Sequence, residues 1–215
     1  MSCRIVPYHI LLEGSGGMAT PIGHIWGGVG AYAALAPQER LTTKRTLLVA
    51  ALAVSPDVDV VLLFLGIGQH RGWTHSLLFC GVVAFVAWLL AGGWRSKSSG
   101  RLFLAFFATT VSHLFLDWLM HCGPPIHPFL PFSNRGFNCP VQLIPTAYYA
   151  TSPSGLVHIL LTPETLLGVV LETISLGPLA GLAFLLRSGE KDWKTIIPLA
   201  ALSLCGFLTT FILYN

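Results

Sequence analysis

The chain has 215 residues, of which 53% are hydrophobic and only 10% charged, with a formal net charge of +3 and a mean hydropathy of +0.71. An average globular domain carries about 25% charged residues, so this balance excludes a disordered chain, a soluble nucleic-acid binder and a disulfide-stapled secreted miniprotein. The small positive surplus defines no anionic partner, and in a membrane protein the placement of the charges matters more than their sum.

The composition predicts an all-α, polytopic membrane bundle of about five or six transmembrane helices with an irregular outer loop segment, since a span needs about 20 mostly apolar residues. Residues 1–19 read as an N-terminal tail. MSCRIVPYHILLEGSGG lacks the continuous apolar core of a secretory signal, and Met1 and Met18 are both candidate starts. Residues 20–215 read as a single membrane-embedded domain without an internal repeat. Its first expected span, 21–36, is short and glycine-rich. The second, 46–66, is apolar at both ends and broken in the middle by Ser55, Pro56, Asp57 and Asp59. Residues 76–94 and 195–214 are free of charge, whereas 102–121 and 166–186 are as long but carry ionisable groups.

Nine of the 12 basic residues fall between these spans in three clusters: Arg40, Lys44 and Arg45; Arg95, Lys97 and Arg101; Arg187, Lys191 and Lys194. The positive-inside rule puts all three loops in the cytoplasm, and six alternating spans allow it. Segments 67–75 and 122–165 then share the opposite face, as do His9, His24, His70, His75, His113, His121, His127 and His158. Any chemistry therefore faces away from the cytoplasm.

The most specific local signal is His113 with Asp117, four residues apart and so on one helix face, where both reach a single cation. His121 continues that stripe. Ionisable groups inside a membrane helix are costly and usually mark a functional site, the plain alternative being a pair hydrogen-bonded across the bundle. In SPDVDVV, Asp57 and Asp59 cannot both face lipid as charges, and Pro56 breaks the helix, which is tolerated where the backbone lines a cavity. Asp57 follows Arg45 by 12 residues and His113 follows Arg101 by 12. At 1.5 Å per residue both rise about 18 Å from the same end, so they lie at one depth. In QHRGWTHSLLF, Gly72 frees the backbone so that His70 and His75 can point at one centre, Ser76 is placed to cap a helix, and Arg71 is a planar fork for a phosphate or carboxylate unless it snorkels to headgroups. Cys122 and Cys139 share the outer segment and could pair in an oxidising compartment. CGPPIHPFLPFSNRGFNCP is too rich in proline and glycine for a helix. Glu172 reads as a group satisfying polar partners between helices.

GHIWGGVGAYAAL, SPDVDVV, HRGWTHSLLF and SHLFLDWLMHCGPPIHPFLPFS together resemble the inner-membrane, metal-dependent hydrolase family typified by YdjM, also described as LexA-regulated. The resemblance covers roughly residues 20–135, with HRGxTHS its most specific part. It implies His24, Asp57, Asp59, His70, His75, His113 and Asp117 as metal-site residues, with Arg71 and Asp59 as catalytic candidates. A fainter likeness is to the zinc-dependent bacterial phospholipases C, whose order of ligands would add His127, then His158 with Glu164; here the glutamate follows by six residues where that pattern has four.

These ligands are nitrogen and oxygen only, which suits one or two divalent cations, zinc first and manganese second, and argues against an iron–sulfur cluster. The expectation is a membrane-bound hydrolase with membrane lipids as neighbours, no nucleic-acid partner, and a small-molecule or lipid substrate that is anionic or an ester. The competing expectation is a divalent metal-ion transporter built on the same HxxxD pair. Transport asks for a path through both faces, and apart from Asp192 the cytoplasmic loops offer no His or Asp ligand.

Overall fold

The computed structural model describes residues 17–36, 42–121, 123–148, 152–189 and 192–215. His9, Arg40 and Lys191, the starting segment, and the pairing of Cys122 with Cys139 lie outside them. The described chain begins with a strand, β1 (Gly17–Met18), paired antiparallel with β2 (Ala147–Tyr148). Between and beyond these lie α1 (Pro21–Leu35), α2 (Thr43–Val54), α3 (Val58–Phe64), α4 (Leu77–Leu90), α5 (Ser99–Trp118), α6 (Pro153–Leu160), α7 (Pro163–Ser188) and α8 (Trp193–Tyr214).

Among the described residues, four helical segments are long and apolar enough to cross a membrane: Thr43–Phe64, Ser99–Trp118, Pro163–Ser188 and Trp193–Tyr214. That is fewer than the five or six expected. The first and third expected spans fall short: α1 has 15 residues and α4 has 14. At 1.5 Å per residue they reach about 22 and 21 Å, against a hydrocarbon thickness of about 30 Å. Local sequence sets both limits. Pro37 disfavours helical backbone at Ala36, where α1 stops. The hydroxyl of Ser76 caps α4 by accepting from Phe79 N at 3.1 Å, and Gly92, at φ +67°, ends it, so the chain turns at 91–92 into a 3-10 helix over Gly93–Arg95.

The short helices nevertheless run with the bundle. Cys80 O receives Thr110 Oγ1, and Ser99 O receives Trp88 Nε1, so α4 lies antiparallel along α5. Gly28 O receives Thr109 Oγ1 and Leu35 O receives Arg101 Nε, so α1 is antiparallel to α5 as well. The lysine and arginine clusters of the described residues gather at one end of the bundle. Apolar burial gains little within lipid, so close approach through small residues carries the packing. Gly28 lies where α1 crosses α2 and α5, and a Cβ there would run into the Cβ of Ala53. Tyr32, Val49, Leu52, Leu102 and Phe106 form the core toward the basic end; Leu116, Met120, Ile144 and Leu176 form another toward the opposite end.

The break between α2 and α3 follows from Pro56, which cannot donate to Leu52 O. The Ser55 hydroxyl donates there instead, at 2.8 Å, and Ser55–Asp57 tightens into a 3-10 turn. The described residues between 119 and 146 carry no helix, as their prolines and glycines demand. This segment is fastened by the Ile126–Phe137 bridge and by Leu77 N donating to Pro128 O at 2.9 Å.

Candidate metal centre

Five side chains from four places in the chain converge: His24 of α1, Asp57 of the 3-10 turn, His75 ahead of α4, and His113 and Asp117 of α5. Hydrogen bonds on the far side of two imidazoles fix what they present. His113 Nδ1 lies 2.8 Å from Ala53 O, and a carbonyl only accepts, so that nitrogen carries the proton. Thr74 Oγ1 donates to Asp59 Oδ2 at 2.8 Å, so the same hydroxyl oxygen accepts from His75 Nδ1 at 3.0 Å, and Asp59 Oδ2 lies 3.2 Å from that nitrogen. In the neutral rings, both Nε2 atoms are therefore bare lone pairs.

Those lone pairs face each other at 3.2 Å. Asp57 Oδ1 lies 3.3 Å from His113 Nε2 and 3.8 Å from His75 Nε2, and Asp117 Oδ2 lies 3.2 Å from His75 Nε2 and 3.8 Å from His113 Nε2. Four acceptors around one point repel unless something positive sits among them. Burial alone would hold His75 neutral, but the carboxylates of Asp117 and Asp59 beside its two ring nitrogens raise its pKa to about 9, so without a cation it keeps a proton near neutral pH. A cation would take that proton's place. The separations suit one: at the 2.0–2.1 Å of a zinc–nitrogen bond, tetrahedral ligands stand about 3.3–3.4 Å apart. Buried without any hydrogen-bond partner are both oxygens of Asp57, both oxygens of Asp117 and both ring nitrogens of His24. Orphaned lone pairs of this kind are what metal ligands leave when only protein atoms are considered. His24, His75, His113 and Asp117 are all 0% exposed.

Asp59 sits behind this group rather than in it. It accepts from His70 Nδ1 at 2.9 Å, Arg71 N at 3.0 Å and Thr74 Oγ1 at 2.8 Å, as well as facing His75 Nδ1. It orients His75 as a carboxylate behind a metal-bound imidazole does. His70 is directed at Asp59 by the same hydrogen bond, and Asp59, His70 and His75 form a further buried group whose ligand atoms lie close enough to hold an ion, with the two ring planes 81° apart. The backbone freedom expected of Gly72 is used one residue earlier, since Arg71 itself has φ +61°. Asp59→Asn would put an amide where His75 needs an acceptor, so it is expected to weaken metal binding by about 10- to 100-fold. Chelator competition measures this, and unchanged affinity would remove Asp59 from the role.

Arg71 is buried rather than snorkelling. Its Nη2 lies 3.0 Å from Asp117 Oδ1, its Nη1 donates to Pro124 O, and a Cβ at Gly123 would run into its guanidinium. His121 leaves the His113–Asp117 stripe because α5 ends at Trp118, ahead of Gly123–Pro124–Pro125, and its Nδ1 donates to Cys139 O at 2.9 Å. His127 and His158 join no ligand cluster among the described residues, and His158 is exposed on α6, so the fuller set suggested by the phospholipase likeness is not assembled. Glu172, in α7, accepts from Thr20 N at 2.9 Å and from Thr20 Oγ1, fixing the start of α1 and, one turn on, His24. Sequence reasoning reads Glu172 only as a polar filler because nothing near it in the chain names Thr20 as its partner.

The profile of the YdjM inner membrane protein family matches residues 18–205. The match therefore runs through the C-terminal part, beyond the motifs that end near residue 135. The chain is also 32% identical over 106 residues to the inner membrane protein YbcI of Escherichia coli (strain K12), an alignment spanning 47% of this chain and 61% of that relative's length. No solved structure matches it. With its four helices of membrane-crossing length, the chain is an integral inner-membrane protein.

Proposed function

We propose that this chain, which belongs to the YdjM inner membrane protein family, is a metal-dependent hydrolase that cleaves a phosphoester or a lipid ester at the membrane face opposite its basic clusters. The observation that carries the reading is the set of buried acceptor atoms from Asp57, His75, His113 and Asp117 held 3.2–3.8 Å apart, the carboxylate oxygens among them without a hydrogen-bond partner. Bound divalent cations, zinc or manganese, would supply an acidified water and polarise the scissile oxygen.

The protein groups then have separate tasks. His75 and His113 offer Nε2 because Asp59 and Ala53 O hold their other nitrogens. Arg71 brings a fixed positive charge against Asp117, and its buried Nε has no hydrogen-bond partner, which leaves a donor for an anionic oxygen of the substrate. An open cleft of about 650 Å³ reaches Asp59 and Thr74 between Leu62, Ile67, Trp73 and Leu130. Its mainly apolar walls suit the hydrocarbon part of a lipid ester.

The test uses detergent-purified protein loaded with Zn2+ or Mn2+ and a panel of phosphoesters and lipid esters. Turnover that disappears with a chelator and returns with the metal is the expected result. Metal uptake into liposomes with no ester turned over would replace hydrolysis by transport. Reporters fused within 187–194 should read the cytoplasmic side and those within 122–165 the other, the reverse result overturning the orientation.

A further inference from the structure

The imidazoles of His24 and His113 stack face to face, with centroids 3.5 Å apart and planes 9° from parallel. An imidazole binds a cation along its lone pair, which lies in the plane of the ring. Two nearly parallel rings therefore aim at two points about as far apart as the rings themselves. A single ion shared equally would have to sit half the ring separation, about 1.7 Å, out of each plane, at a bond length of only about 2.1 Å. Lone-pair overlap would be poor with both rings.

From this stacking we propose that His24 and His113 serve two different cations, so that the centre is dinuclear. This rests on the metal-dependent reading above and goes beyond its count of one or two. The carboxylates fit a bridged pair. Asp117 presents Oδ2 to His75, at 3.2 Å, and Oδ1 to His24, at 3.7 Å. Asp57 presents Oδ1 to His113, at 3.3 Å, while its Oδ2 is buried without a hydrogen-bond partner. A ring separation of 3.5 Å also matches the roughly 3.5–4 Å between metals in two-metal hydrolytic sites.

The two positions are unequal. The His113 position has His75, His113, Asp57 and Asp117 around it, four ligands, which is the closed set of a structural zinc. The His24 position has one imidazole and Asp117 Oδ1, so it is the one left open to a small ligand or substrate.

Elemental analysis of detergent-purified protein, saturated with Zn2+ and then desalted, is expected to give two equivalents per chain for the wild type and one for His24→Ala. In the wild type loaded with Mn2+, the electron paramagnetic resonance spectrum should show two exchange-coupled ions, a readout that does not depend on how any variant folds. One equivalent in the wild type, with an uncoupled Mn2+ spectrum, would overturn the dinuclear inference and leave a metal centre standing. No bound metal in folded wild type would overturn the metal reading itself.

Discussion

Asp117→Asn and His113→Ala are each expected to lose bound metal and turnover together, by more than the about 10- to 100-fold that a merely supporting residue costs. Asp117 is the hub of the centre, since Arg71, His75, His113 and His24 all lie within 3.0–3.8 Å of its oxygens. Asparagine keeps the volume but loses the charge and turns one acceptor into a donor aimed at imidazoles whose lone pairs face inward. His113→Ala removes an imidazole facing Asp57 and Asp117 and leaves the Arg71–Asp117 pair in place, so it separates loss of a ligand from loss of a buried ion-pair partner. His158→Ala on the exposed α6 is the control, expected to change neither quantity. Metal content is counted on monodisperse protein. Full occupancy in Asp117→Asn would remove the centre as drawn.

Counting residues from the basic clusters places Asp57 and His113 at one depth, and the two meet at 3.3 Å. The count succeeds because a helix rises uniformly and because the clusters mark a common end of the bundle. The HxxxD spacing and the break at Pro56 are legible for a related reason: both are set by backbone geometry within a turn or two. What escapes the sequence is everything decided across the bundle. Asp57 and Asp59 look equivalent in the sequence, yet Asp57 faces the inward nitrogens while Asp59 is taken up by His70, Arg71 and Thr74 from a loop more than ten residues on. The stacking of His24 on His113 joins helices far apart in the chain, and no spacing rule encodes it. The length of α4 escapes for a different reason: apolar composition continues through 91–94, but Gly92 ends the helix first, whereas α1 keeps nearly the short span that its sequence predicts.

The same division holds for the parts around the centre. Ser76 is read correctly as a cap because an N-cap hydroxyl serves an amide two or three residues on. Glu172 is read only in part, because what matters about it is that it holds α1 from α7. The residues that ligate are thus named by local chemistry, and those that hold them in place by tertiary packing.

Arg71 tests that packing most sharply. An arginine at φ +61° costs of the order of 1–3 kcal/mol, and the backbone alone would favour glycine. The conformation is held by Arg71 N donating to Asp59 and by the guanidinium between Asp117 and Pro124 O. Arg71→Ala would remove the positive partner from a wholly buried carboxylate, a loss of about 3–5 kcal/mol for a pair of this kind. Bound cations would offset much of that loss by compensating Asp117 themselves. The expected result is a large fall in the unfolding midpoint of the metal-free variant that is mostly recovered on adding Zn2+, with hydrolysis still impaired because the donor for the substrate's anionic group is gone. Arg71→Lys should recover part of the stability, since an ammonium can meet Asp117 or Pro124 O, but not the forked contact to both. Thermal unfolding of both variants with and without Zn2+, alongside KM for a phosphoester, separates the two roles. A metal-free Arg71→Ala protein as stable as the wild type would show that Asp117 does not depend on the guanidinium.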